Sequence, residues 1–133
     1  MTLETGLRAL LASDAGIAAL AGDRIRPLCL AQGEAYPAIT YQRIAGSPRS
    51  TLDGATVRLR SVVQVTCWAE SYLEAHALAD AVRACVTDYR GAWGAVEVLR
   101  IEPPDERDTE PVEGGGAPVV YGVALDLTIH HTQ

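Results

Sequence analysis

The residues with the right types for catalysis are Cys67, His76 and Asp80, a thiol, an imidazole and a carboxylate within fourteen positions. A nucleophile, its base and an orienting acid work only within hydrogen-bond reach of one another in a cleft. Alternation along the strand holding Cys67 points its thiol into the core. His76 and Asp80 are i, i+4 neighbours on the polar side of a helix. The trio therefore reads as a buried structural thiol beside a surface pair. His130 and His131 are adjacent on a strand, so their rings point to opposite faces and cannot hold one ion. They are expected to fray at the end of the chain. Asp105, Glu106, Asp108, Glu110 and Glu113 are rich in carboxylates, but lack the regular ligand spacing and turn glycine of a calcium loop. They read as a solvated hairpin tip. The glycines 114–116 precede a strand, open no helix and are followed by no lysine, so they form no phosphate loop. Arg58 and Arg60 lie on one strand face; the reading preferred over phosphate binding is pairing with acids or with another subunit. No catalytic, metal or cofactor set emerges, and the protein is expected not to be an enzyme.

The elements that would position these side chains follow from periodicity. Leu3, Leu7, Leu10 and Leu11 put four leucines on one face of a first helix, with Thr2 as a cap and Glu4 in the first turn. Ser13 and Asp14 stop it and cap a second short helix carrying Ile17 and Leu20, ended by Gly22. Residues 24–28 read as an edge strand because of Pro27, and 37–47 as a second strand. Segment 47–56 is full of turn residues and reads as a long polar loop. In VRLRSVVQVTCW, Val57, Leu59, Val63, Val65 and Cys67 share one face, and Arg58, Arg60, Gln64 and Thr66 the other. Ser71 and Glu74 form a capping box for the main helix. Its buried stripe is Leu78, Ala81, Val82, Cys85, Val86 and Tyr89, with Gly91 past its end. His76, Asp80, Arg83 and Asp88 line its solvent side. Residues 96–102 form a strand whose parity slips between Val98 and Leu99, the sign of a bulge. Segment 103–118 reads as a second long polar loop, and 119–131 as a closing strand with Tyr121, Val123, Leu125, Leu127 and Ile129 inward.

This pattern predicts a single domain over 1–133 of the α+β class. It has a four- to five-stranded, mostly antiparallel (mixed) sheet, one long helix packed on one face, and short N-terminal helices. The other face, with Arg58, Arg60, Gln64, Thr66, Asp126 and Thr128, is either solvated or meets a neighbouring copy.

Composition narrows the function. The 133 residues include 21 alanines, no lysine and no phenylalanine, so the core is aliphatic. Seventeen acids against eleven arginines give a net charge of −6, which disfavours binding by phosphate neutralisation and binding to an anionic membrane. Three widely spaced cysteines (Cys29, Cys67, Cys85) fit reduced thiols better than a disulfide framework or zinc site. No apolar run reaches membrane-spanning length. The N-terminal segment lacks a basic start and is interrupted by Asp14, so it is not read as a signal peptide.

The stretches GDRI with the following PL, PAITYQRIAGSP, QVTCWAESYLEAHALADAVR and the terminal DLTIHH occur in an order and spacing that resembles a family of phage tail-completion proteins. These are the tail terminators, or tail-to-head joining proteins, of long-tailed phages, prophages and gene transfer agents. The resemblance runs from about residue 3 to 131, with ERDTEPVEGGG as its least typical part. It implies a homo-oligomer, a hexameric ring that caps the tail tube, stops its polymerisation and meets the head-tail connector. It also implies a place in the virion, at the tail end or neck, after assembly in the host cytoplasm. DNA would pass through the lumen without specific binding. On this reading Pro48, Arg49, Leu52 and Asp53 form one axial contact and Asp105, Glu106 and Asp108 the other. Arg58, Arg60, Gln64, Thr66 and Asp126 form the contact between ring subunits. The alternatives are another neck component, such as a connector or stopper, or a small cytosolic binding module or enzyme.

Overall fold

The computed structural model describes residues 3–30, 35–50, 57–112 and 119–132. Helix α1 (Leu3–Ser13) buries Leu3, Leu7 and Leu11, as the leucine spacing predicts. Helix α2 (Ala15–Ala21) follows at once, because the Asp14 carboxylate accepts the Ile17 N–H at 3.0 Å. Gly22, with φ 59°, closes it through a bond from its N–H to the Ala18 carbonyl. Among the described residues seven strands come next, interrupted by one long helix: β1 (Ile25–Pro27), β2 (Ala38–Ser50), β3 (Val57–Ala69), α3 (Tyr72–Val86), β4 (Gly91–Trp93), β5 (Val96–Ile101), β6 (Asp105–Asp108) and β7 (Tyr121–Thr132).

The α+β class is as predicted, but the sheet has seven strands instead of four or five, in the order β1-β2-β3-β7-β5-β4, with β6 also on β7. Only β1–β2 is parallel; the other pairings are antiparallel. The spine is β3, paired along nearly its whole length with β2 on one side and β7 on the other. The predicted bulge in β5 is present as a register shift between Val98 and Arg100, and a second one interrupts β2 between Arg43 and Ala45.

Both segments expected as loops are partly strand. β2 continues through 47–50, and its ladder with β3 ends at Ser50 opposite Val57. The turn-forming residues at 47–50 extend because β3 offers them a ready ladder, which outweighs local preference. Likewise Asp105–Asp108 pairs with Val123–Asp126 of β7 although all four of its residues are charged and exposed.

One face of the sheet carries the core. Val63, Val65 and Cys67 of β3, and Val123, Leu125, Leu127 and Ile129 of β7, are buried beneath α3. Helix α3 contributes Leu78, Val82 and Val86, as predicted, together with Ala75 and Ala79, while Ala81, Cys85 and Tyr89 are only half-buried. Ser71 is the N-cap residue but makes no side-chain capping bond. The helix ends at Thr87, and Asp88, with φ 59°, takes the left-handed position expected of Gly91, which instead opens β4. Trp93 anchors β4 by lying over Gly6 of α1, where a Cβ would come within 2.6 Å of the ring.

Candidate functional site

The catalytic trio does not come together. Cys67 is fully buried, and burial pushes its thiol well above the usual range, so it stays protonated. His76 turns away from it: its Nε2 donates to Asp108 Oδ1 at 2.8 Å, not to Asp80. Cys85, half-buried, is pushed up to about 11, first by burial and then by Asp14. All three cysteines are free thiols. Among the described residues no cluster of three or more His, Cys, Asp or Glu is placed to hold a metal. No helix among them is long and apolar enough to cross a membrane.

The C-terminal histidines are structured parts of β7, which corrects the expectation that they fray. His131 is 4% exposed and packs against Ser61 of β3. Its Nδ1 lies 2.7 Å from the Thr132 carbonyl, which can only accept. Its Nε2 lies 2.9 Å from the Ser61 hydroxyl, within hydrogen-bond distance. The pair is buried within the sheet, and among the described residues no carboxylate reaches it. His130 points to the opposite face, as adjacency requires, and donates to Glu102 at 2.8 Å. That bond, helped by Arg100 and Arg60, holds the Glu102 carboxyl below its ordinary range.

The acidic segment is a strand latched to the main helix. Alternation along β6 sends Glu106 and Asp108 to the helix side. There Arg83 binds Glu106 at 3.0 Å and the Pro104 carbonyl at 3.2 Å. Asp108 accepts from both His76 and the Tyr72 hydroxyl, each at 2.8 Å. The Tyr72 phenol is raised chiefly by that hydrogen bond. Arg107 points the other way and pairs with Asp126 at 2.7 Å, while the second, buried oxygen of Asp126 has no partner among the described residues. Asp105 is exposed. Thus Glu106 and Asp108, expected as a free axial contact, are engaged within their own chain.

The face opposite α3 is less bare than expected. Gln64 accepts from Gln42 at 2.9 Å, and the Trp68 indole donates to Thr40 at 3.0 Å. Thr66 is 7% exposed, and Arg60 is half-buried beside His130. Arg58 stands opposite Arg49 and Thr132 in the ladders, and Pro48 opposite Leu59. Leu52 and Asp53 lie outside the described residues. Sequence reasoning missed an apolar groove of about 210 Å³ at the end of this face, lined by Leu28, Tyr36, Trp68, Val112 and Val120 among others. The exposure of Leu28 and Val112 marks its rim; its signal was Trp68 on the polar parity of β3.

What the fold and these surfaces define is a small α+β protein in which many of the described polar groups pair with one another across a sheet, with an apolar groove at one end of it. Residues 5–124 match the family Tail completion protein gp17. The chain belongs to that family, and it is a structural protein of a phage-type tail and a virion component. The fold is also that of a chain in the solved virion of a native gene transfer agent (GTA) particle. The two are 15% identical, and superpose with a TM-score of 0.74 over 98% of this chain and 95% of that one. Among curated proteins no match to this chain was found.

Proposed function

We propose that the chain, as one domain over 1–133, is the terminator subunit of its tail. It closes into a hexameric ring on the finished tube, stops tube growth and presents a surface to the head-tail connector. The family match over 5–124 carries this reading. The proposal is of a role by shape and contact, without catalysis or cofactor. A subunit that caps a tube needs a receiving surface and must lack the one that would recruit the next ring. Pro48 and Arg49 at the end of β2, with Leu52 and Asp53 that follow them in sequence, serve as one axial contact. Strand β6, with Asp105 exposed and Glu106 and Asp108 latched to α3, serves as the other. The net charge of −6 on each subunit supports passage of DNA through the lumen without specific binding.

The test is native mass or light scattering of the purified protein, alone and mixed with its tail tube subunit. A closed ring, or a ring that forms only on tube ends and halts their growth, is expected. A monomer indifferent to tubes would overturn the terminator role and shift the assignment to a connector or stopper of the neck.

A further inference from the structure

Strand β6 is held in place by charged side chains and main chain, with no apolar anchor of its own. None of Asp105, Glu106, Arg107 and Asp108 is apolar, and all are exposed. On the helix side Arg83 binds Glu106 at 3.0 Å, and His76 and the Tyr72 hydroxyl bind Asp108 at 2.8 Å each. On the opposite face the arrangement works against docking. Asp105 stands directly across the ladder from Asp126, and like charges in that position weaken a strand pair. Arg107 reaches one oxygen of Asp126 at 2.7 Å, while the other, Oδ1, is buried with no hydrogen-bond partner among the described residues. An acceptor taken out of water without a donor disfavours the state that buries it. The docked strand is thus a balance of opposed charges.

We infer that β6 is a releasable strap over the edge of β7, and that its lifting turns this edge into a receiving one for an extended segment of the tail tube subunit that brings a cation to Asp126. The inference deepens the reading of β6 as an axial contact and rests on it. The Thr109 N–H donates to the Gly122 carbonyl at 2.9 Å, and the Glu102 N–H to the Thr128 carbonyl at 3.0 Å. By alternation Ala124 and Asp126, which lie between those two bonds, turn their main-chain groups toward β6, and Val123, Leu125 and Leu127 turn theirs toward β3. Lifting the strap therefore bares the main-chain groups of Ala124 and Asp126 and leaves the β3–β7 ladder whole. The strap stays tethered at both ends. Pro104 is buried with its carbonyl held by Arg83 at 3.2 Å, and Val112 and Val120 exchange main-chain bonds at 2.9 and 3.0 Å. Charge selects the occupant: a segment with a basic residue where Asp105 now stands removes the opposed carboxylates and supplies a donor to Asp126 Oδ1.

The experiment is residue-resolved hydrogen exchange on the full chain. The amides of Ala124 and Asp126 should exchange about tenfold faster than those of Val123, Leu125 and Leu127 on the same strand, because the strap opens locally. Asp105→Asn removes the opposed charge and should slow Ala124 and Asp126 by about threefold while the other three keep their rates. One common rate along β7, or an Asp105→Asn variant that does not slow Ala124 and Asp126 selectively, overturns the strap. Segment-level exchange with the tail tube subunit added reads the receiving edge: on the tube, 105–108 should exchange faster while 123–126 stays protected. A tube-bound chain that keeps 105–108 protected overturns the receiving edge and leaves the axial reading intact. A chain that never binds the tube overturns the axial reading and the receiving edge with it, and the amide pattern of the free chain still decides the strap.

Discussion

Replacing Gly6 with alanine sets two effects of opposite sign against each other. In the interior of α1 the change should stabilise the helix by about 1 kcal/mol, since alanine gives up less backbone freedom on folding. The added Cβ, however, would lie 2.6 Å from three atoms of the Trp93 ring, Cγ, Cδ2 and Cε3. The ring cannot swing aside cheaply. It is 5% exposed, stacked on Tyr89 at 5.7 Å, and its indole N–H donates to the Tyr89 hydroxyl at 3.1 Å. Overpacking of a buried site costs about 1–3 kcal/mol, and parting Trp93 from Tyr89 adds to that. The clash wins, and Gly6→Ala should lower stability by about 1–2 kcal/mol, or the melting temperature by about 3–8 °C. Thermal unfolding followed by circular dichroism reads this directly. The same substitution made in a Trp93→Ala background, where the ring is gone, should stabilise by about 1 kcal/mol. The cycle would then show a coupling of about 2–3 kcal/mol. A Gly6→Ala protein that melts higher than the parent with Trp93 in place would refute the close packing of α1 on β4.

Asp14→Ala removes the carboxylate that caps α2 and should cost about 1 kcal/mol in urea unfolding, without changing the transition's slope. Arg83→Ala cuts the links to Glu106 and Pro104 that hold β6 against α3. Hydrogen exchange at 105–108 should quicken by about fivefold while the β3–β7 ladder stays protected. With a thiol reagent at neutral pH, Cys29 should react within minutes, Cys85 slowly, and Cys67 only on unfolding. The raised thiols of Cys85 and Cys67 also set a direction with pH. Their folded values lie above the unfolded one near 9.0, so their contribution is fully present below about pH 9 and falls as pH rises toward 11. Stability that grew between pH 9 and 11 would contradict their burial.

Local chemistry made α1, the Asp14 cap, Gly22, the alternation of β3 and β7, and the β5 bulge legible, since each depends on spacing or on one residue type. The parity slip at Leu99 needed no knowledge of a partner strand. Residues that take their structure from distant neighbours were not legible. Asp105–Asp108 has no strand propensity, and is a strand because β7 presents an edge and α3 presents His76, Tyr72 and Arg83 to its carboxylates. His131 read as a fraying end because its partner, Ser61, lies 70 positions earlier. Pro48 and Arg49 read as a loop because a ladder supplied by β3 cannot be seen from their own turn-forming residues. The same limit hid the groove, whose walls come from separate stretches of chain around Leu28, Tyr36, Trp68, Val112 and Val120.

The placement of β3 has a mechanical consequence. Its two ladders, to β2 and to β7, run side by side over nearly the full length of the strand. A load along the strand is therefore borne by many hydrogen bonds at once, in shear, where a peeling load would strip them one after another. Among the described residues the helices lean on one face of this beam, so the β2–β3 pair can transmit a push or pull along its ladder as far as Ser50 and Val57 without first unpacking the core. For a structural protein of a tail, that makes the paired length of the hairpin a stiff strut between whatever grips the two ends of the sheet.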